Sequence, residues 1–367
     1  MARPVRKTRL LRSLTRAAKA QQSMLTTLLD VYTPTPSSPA RKAAPRKPAA
    51  KSGISRPGLA PATGRWLAGR FPLAATPAGA RDMQYWLYVP DCAPDERPRD
   101  GWPLVVMLHG CHQSATQFAQ GTRMNHLAEH KGFAVLYPQQ SVTVQAQRCW
   151  RWFDRATQEG GAETGVLASL IGNVCEQHSI DRRRIYACGL SAGAGMAAIL
   201  ALNHPELIAA VALHSGPVFG AGHGPVGALR VMRHGAAEQA DAAIRGLLRG
   251  RPAAPMPPMP ALLIQGEDDQ VVDPVNQRQL AHQWLQLNGL PAGPAARVAV
   301  KPAGRGGSRN AHEIHDYLVG RKVVLRVVRI AGLGHAWSGG DPAHAFNAKA
   351  GPDASRMVLE FFGRHRR

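Results

Sequence analysis

Seven short apolar runs, most of them followed by a helix-like or glycine-rich stretch, constrain this chain more than any other feature. They are "QYWLYVP", "PLVVMLHG", "FAVLYP", "RIYACGLS", "IAAVALHSG", "PALLIQGEDD" and "VVLRVVRIAG". Several are apolar at consecutive positions and not at alternate ones, the pattern of strands covered on both faces in a parallel sheet. Between them "AQGTRMNHLAEHKG", "ETGVLASLIGNVCEQH", "AGMAAILALNHP" and "PVNQRQLAHQWLQLNG" carry helical spacing. Alternation of this kind predicts an α/β fold, a mostly parallel doubly wound sheet flanked by helices. Residues 216–260 interrupt it and are expected to form an inserted loop with a short helix, at a place where such folds often carry part of a substrate site.

The charge is unevenly placed. Of the 45 Lys/Arg, residues 1–65 hold 14 against a single acid, Asp30, leaving 31 basic and 23 acidic residues for the rest. Residues 5–31 have amphipathic helical spacing, with Leu10, Leu14, Ala17, Gln21, Leu25 and Leu28 on one face and Arg6, Arg9, Arg12, Arg16 and Lys19 largely elsewhere. The adjoining Pro/Ala/Lys-rich segment cannot bury a core and reads as a disordered linker. Residues 1–64 are therefore expected to be a basic arm, and 65–367 a single folded domain. No run of about 18 uncharged apolar residues occurs, so no membrane span is expected. The N-terminus lacks the apolar core and cleavage site of a secretory signal, which predicts an intracellular, cytoplasmic protein. Five cysteines, an odd number with no C-x-x-C pair, argue against a zinc site or a dense disulfide framework.

"YACGLSAGAGMAAILA" places Ser191 between Gly189 and Gly193 where a strand runs into a helix. A serine hydroxyl is a poor nucleophile unless a sharp turn exposes it and a base faces it, and both glycines keep such a turn uncrowded. Taken alone, G-x-S-x-G is a weak signal in a chain with 37 glycines. Two motifs farther along the chain strengthen it by their order. "LLIQGEDDQVVDPVN" ends a strand in acids and "VVRIAGLGHAWSGGD" ends the last strand in a glycine-flanked histidine. Ser, then acid, then His is the order of an α/β-hydrolase. Asp269 is the candidate acid, with Asp268 and Asp273 as rivals, and His335 is the candidate base. "MLHGCHQSA" lies at another strand end, where the N–H groups of Cys111 and Ala192 are the candidate oxyanion donors. His109 reads as a loop-shaping residue and not a second base.

These stretches, with "CWRWF" and "GPDASRMVLEFF", resemble the polyhydroxybutyrate (PHB) depolymerase family of esterases from about residue 82 to the C-terminus. The resemblance implies an α/β-hydrolase fold, a triad of Ser191, Asp269 and His335, and hydrolysis of an ester. The same family resembles feruloyl and acetylxylan esterases, so it specifies the reaction better than the substrate. One departure is visible, in that relatives commonly read His-Gly before the acid loop where this chain has Gln265-Gly266.

Trp150, Trp152 and Trp337 are candidates for an acyl groove, beside the alternative of an ordinary buried aromatic cluster. Cys111 and Cys149 both fall in motif loops, so a disulfide tying those loops is one alternative, but an intracellular setting predicts free thiols. No metal or organic cofactor is implied. The expected substrate is poly- or oligo-3-hydroxybutyrate, with small, feruloyl or acetylxylan esters as the alternative. The basic arm suggests an anionic granule or membrane surface as a partner, or an organellar transit segment, or a solvated tail. It lacks the aromatic interleaving of a sequence-specific nucleic-acid reader. A second class of function is accordingly a granule- or nucleoid-binding protein acting through that arm.

Overall fold

The computed structural model describes residues 62–73, 82–91, 98–249, 257–291, 293 and 295–367. The expected helix at 5–31 and the linker lie outside the described residues.

Ten strands form one sheet. They are β1 (Arg65–Pro72), β2 (Asp82–Val89), β3 (Trp102–Leu108), β4 (Ala134–Pro138), β5 (Ile180–Leu190), β6 (Ala210–His214), β7 (Ala261–Gly266), β8 (Arg297–Lys301), β9 (His312–Val319) and β10 (Lys322–Ile330). Their spatial order is β1-β2-β4-β3-β5-β6-β7-β10-β9-β8. From β4 to β10 the neighbours pair in parallel, while β1, β2, β8 and β9 pair antiparallel at the two edges. This is the mostly parallel, helix-flanked sheet expected from the alternation, and the α/β-hydrolase fold that the resemblance implies.

The pleat of β3 shows why the central runs are continuously apolar. Leu104, Val106 and Leu108 enter the core on one face, and Val105 and Met107 enter the core on the other. The first face is covered by helices Ala162–Gln177, Ala192–Asn203 and Val275–Leu287, the second by Ala115–Thr122, Met124–Lys131 and Ala354–Phe362.

Three local expectations differ from the structure. The helix expected over 119–132 is two helices, broken at Arg123 in the left-handed region (φ 53°). The Thr122 hydroxyl donates back to the Phe118 carbonyl at 2.7 Å, which competes with continuation of the helix. The segment 216–260 contains two helices, Gly224–His234 and Ala237–Arg249, the first burying Ala228, Val231 and Met232. Finally, β1, β8 and β9 were not foreseen, because strands at or beside the sheet edges with one or both faces partly exposed lack the double-sided apolar signature.

Candidate active site

All three candidate triad residues lie just past the C-terminal ends of parallel strands, Ser191 after β5, Asp269 after β7 and His335 after β10. Ser191 has φ 56° and ψ −121°, a backbone conformation costly for any residue with a Cβ. Its N–H donates to the His214 carbonyl at 2.9 Å, which pins the turn from the neighbouring strand. The flanking glycines are sterically required. A Cβ on Gly189 would lie 2.3 Å from the Gly193 carbonyl carbon, and one on Gly193 would lie 2.0 Å from the Leu108 oxygen. The helix that begins at Ala192 thus starts directly under the serine, with its orphan N–H groups and positive dipole end at the site.

His335 Nδ1 donates to Asp269 Oδ2 at 2.8 Å. The carboxylate is fully buried and saturated, since Oδ1 accepts the N–H groups of Val271 (3.0 Å) and Val272 (2.9 Å) and Oδ2 also accepts Gln265 Nε2 (2.9 Å). Burial pushes this carboxyl up, but the His335 charge, its hydrogen bond and the two backbone donors outweigh it, and Asp269 sits below the usual aspartate range. The His335 bond goes to neither rival. Asp273 Oδ1 instead accepts the Val275 N–H at 2.7 Å at the start of a helix, while the Asp268 backbone N–H donates to the Leu333 carbonyl. Gln265, the departure from the family pattern, therefore supplies a side-chain donor to the acid.

Two buried histidines brace the site from either side. His109 Nδ1–H donates to the Gly110 carbonyl at 2.8 Å, and its Nε2 accepts the Gln140 N–H at 3.2 Å, so the ring is a neutral Nδ1–H tautomer. Burial, opposed by the Gly110 hydrogen bond and assisted by Arg148, lowers it to about 4. The Gly110 carbonyl and the Cys111 N–H belong to one trans peptide and point in opposite directions, so gripping the carbonyl turns the N–H away from His109. No acceptor for that N–H is found among the described residues. His214 Nε2 accepts the Ser338 N–H at 3.3 Å and its ring stacks on Trp337, which anchors the loop that carries His335. Burial, and secondarily the nearby His335, lower His214 to about 3.

Ser191, His335, Cys111 and Ala192 line one cavity of about 60 Å³. Its other walls are mainly apolar, from Trp152, Phe153, Leu190, Met232, Val271 and Phe346. Of the three tryptophan candidates only Trp152 reaches this cavity. Trp150 is fully buried against His109, and Trp337 is buried between His214 and Phe118 with its Nε1–H donated to Ser355. Met232 and Phe346 were not foreseen, Met232 because the insertion was expected to hold a short helix of unspecified bounds and facing, and Phe346 because it lies in a loop with no periodicity to read. The free-thiol expectation is corrected. Cys111 and Cys149 are disulfide-bonded, their Cα atoms 4.2 Å apart, because the oxyanion loop and the "CWRWF" loop converge at the cavity wall.

The family described as esterase PHB depolymerase matches residues 83–305. Poly(3-hydroxyalkanoate) depolymerase C of Paucimonas lemoignei is 29% identical over 256 residues, covering 69% of this chain and 58% of the relative. Feruloyl esterase B of Thermothelomyces thermophilus is 34% identical over 145 residues, covering 39% of this chain and 47% of the relative. The chain thus spans less than two thirds of the length of both. An acetyl xylan esterase from Aspergillus awamori superposes with a TM-score of 0.58 at 20% identity, covering 77% of this chain and 94% of that one, which shows a shared fold.

Proposed function

Because the chain belongs to the PHB depolymerase family of esterases, we propose that it is a serine esterase that cleaves poly- or oligo-3-hydroxybutyrate through an acyl-enzyme on Ser191. The observation that carries this reading is the strained Ser191 turn, sharing a cavity with an imidazole whose far nitrogen is held by a buried carboxylate. Neutral His335 accepts the Ser191 proton as Oγ attacks the ester carbonyl, and Asp269 stabilises the imidazolium that forms. The Cys111 and Ala192 N–H groups take the oxyanion. The imidazolium then protonates the departing alkoxide, and a water activated by the same ring clears the acyl group.

The cavity bears on the substrate. Its apolar walls favour an aliphatic acyl group, and about 60 Å³ suits a short one better than a feruloyl ring system. Relatives whose names describe feruloyl and acetylxylan esterases support small esters as the second reading. The disulfide at the oxyanion loop supports an oxidising compartment in place of the cytoplasmic one expected from the N-terminus.

Hydrolysis of amorphous poly-3-hydroxybutyrate, its short oligomers, p-nitrophenyl butyrate and methyl ferulate is to be compared between the wild type and Ser191→Ala. Turnover of the hydroxybutyrate substrates, reduced at least about a thousandfold in the variant with an unchanged melting temperature, is expected. Turnover confined to the small esters selects the second reading, and full activity in Ser191→Ala refutes both.

A further inference from the structure

A second concavity, larger than the candidate active site, lies away from it among the described residues. It has a volume of about 840 Å³ and is lined by residues at the opposite edge of the sheet. Arg184 lies in β5 just before the ladder to β3 resumes at Ile185, Ile208 and Ala209 precede β6, Pro260 precedes β7, and Lys322 and Val324 open β10. These are the N-terminal ends of the same strands whose C-terminal ends carry Ser191, Asp269 and His335. Five to six residues of strand separate the two regions by roughly 20 Å.

Its walls combine two kinds of chemistry. Ile208, Pro260 and Val324 form a buried apolar floor. Arg184, Lys322, Arg364, Arg366 and Arg367 surround it against a single acid, Glu206. The nearby carboxylates are already engaged, Glu206 with His204, Asp100 and Asp181 with Arg183, and Asp316 with Arg297 and Arg326. Among the described residues Arg184, Lys322, Arg364 and Arg366 have no carboxylate within ion-pair distance. The cationic tail is nonetheless held in place. The Arg367 N–H donates to the Arg183 carbonyl at 3.0 Å, Arg367 Nη2 to the Arg182 carbonyl at 2.7 Å, and the Tyr186 hydroxyl to the His365 carbonyl at 2.6 Å. The positive potential is felt by the one titratable ring in the wall, since burial and then Lys322, Arg364 and Arg326 lower His365 to about 4.

We propose that this cavity binds a ligand bearing two or more phosphate charges beside an apolar or aromatic body. Guanidinium groups on an anchored backbone match phosphate oxygens as charge-assisted, often bidentate donors. Several uncompensated cations around one concavity favour a multivalent anion over a single carboxylate, and the volume fits a molecule of nucleotide size. The phosphate reaches the cavity either on a free small molecule or on a lipid headgroup.

Calorimetric titration of the full chain with ATP and with sodium tripolyphosphate, and co-sedimentation with phosphatidylcholine vesicles containing cardiolipin, whose headgroup carries two phosphates, all near physiological salt, test this. Two variants are run beside the wild type. Lys322→Ala/Arg364→Ala/Arg366→Ala removes exposed cavity cations, and Arg6→Ala/Arg9→Ala/Arg12→Ala/Arg16→Ala lowers the charge of the N-terminal segment, which attracts polyanions without specificity. The expected result is saturable binding weakened at least about tenfold by the cavity variant and little by the other, with p-nitrophenyl butyrate hydrolysis unchanged. Binding of ATP or tripolyphosphate with that sensitivity identifies a free phosphate ligand, and binding of vesicles alone with that sensitivity identifies a headgroup. Binding of none of the three probes, or binding that only the N-terminal variant weakens, overturns the proposal.

Discussion

Asp269 is held by more donors than a carboxylate needs merely to stay soluble in a core, and each of them bears on His335. With Oδ1 occupied by two backbone N–H groups and Oδ2 shared between Gln265 and His335, the carboxylate cannot rotate away from the imidazole. Asp269→Asn replaces an acceptor by a group that can present its NH₂ to Nδ1 and so favours the wrong tautomer. It is expected to lower kcat about 10⁴-fold. Gln265→Leu removes one donor and leaves the His335 bond, so its loss is smaller, and kcat measured on p-nitrophenyl butyrate for both variants checks the order. At this scale much was legible. Strand ends, glycine spacing and the Ser-acid-His order singled out Ser191 and His335, and narrowed the acid to three neighbours in one turn. Periodicity has no power inside a turn, so only the hydrogen bond separates Asp269 from Asp268 and Asp273. His214 and Phe346 left no comparable mark. A histidine ending an apolar strand looks like any buried polar residue until its stacking on Trp337 and its bond to Ser338 are seen.

Among the elements, the oxyanion loop is the one most elaborately restrained. His109 holds the Gly110 carbonyl, Gln113 accepts the Gly110 N–H at 2.9 Å, and the Cys111–Cys149 bond ties the loop to the "CWRWF" segment that brings Trp152 to the cavity. A covalent link across a sequence separation of 38 restricts the unfolded chain by roughly 4 kcal/mol on the loop-entropy account, and in the folded state it limits how far the Cys111 N–H can drift. Reduction, or Cys111→Ala/Cys149→Ala, is therefore expected to lower both the melting temperature and kcat, with kcat falling about tenfold or more. Calorimetry and ester hydrolysis with and without reductant measure the two effects. This pairing was the alternative to free thiols in the sequence, and it was set aside because compartment, and not geometry, was the ground for the expectation. The insertion, expected to hold one short helix where the structure has two, was under-read for a different reason. Glycine and proline on either side of Gly224–His234 mask a segment whose Ala228 and Met232 complete the cavity.

Over the whole molecule, the parallel sheet divides the chemistry between its two ends. The C-terminal edge gathers a nearly neutral, apolar cavity around Ser191, while the N-terminal edge gathers cations. That division was only half legible, since the strand ends that carry the site are contiguous motifs, whereas the cationic rim is assembled from three segments far apart in sequence, around Arg184, Lys322 and Arg364–Arg367. Stability depends on protons in a defined direction. His109 and His214 are held neutral, at about 4 and about 3 against an ordinary 6.5, so the unfolded chain takes up protons that the folded chain refuses. Stability is complete above 6.5 and falls as pH drops through that window, by roughly 3 kcal/mol from His109 alone at its lower end. Asp269, also depressed, adds its own loss as pH falls below the ordinary aspartate value of 3.8. Melting temperature is expected to drop between pH 6.5 and 4, and less steeply in His109→Gln, which starts from a lower value at neutral pH. The central claim is the covalent role of Ser191, and mass spectrometry of the protein quenched in acid during turnover of p-nitrophenyl butyrate tests it most directly. One butyryl group on the peptide containing Ser191, absent from Ser191→Ala, is the result predicted. Turnover at the full wild-type rate with no acyl group on that peptide, or with the acyl group on another residue, contradicts it.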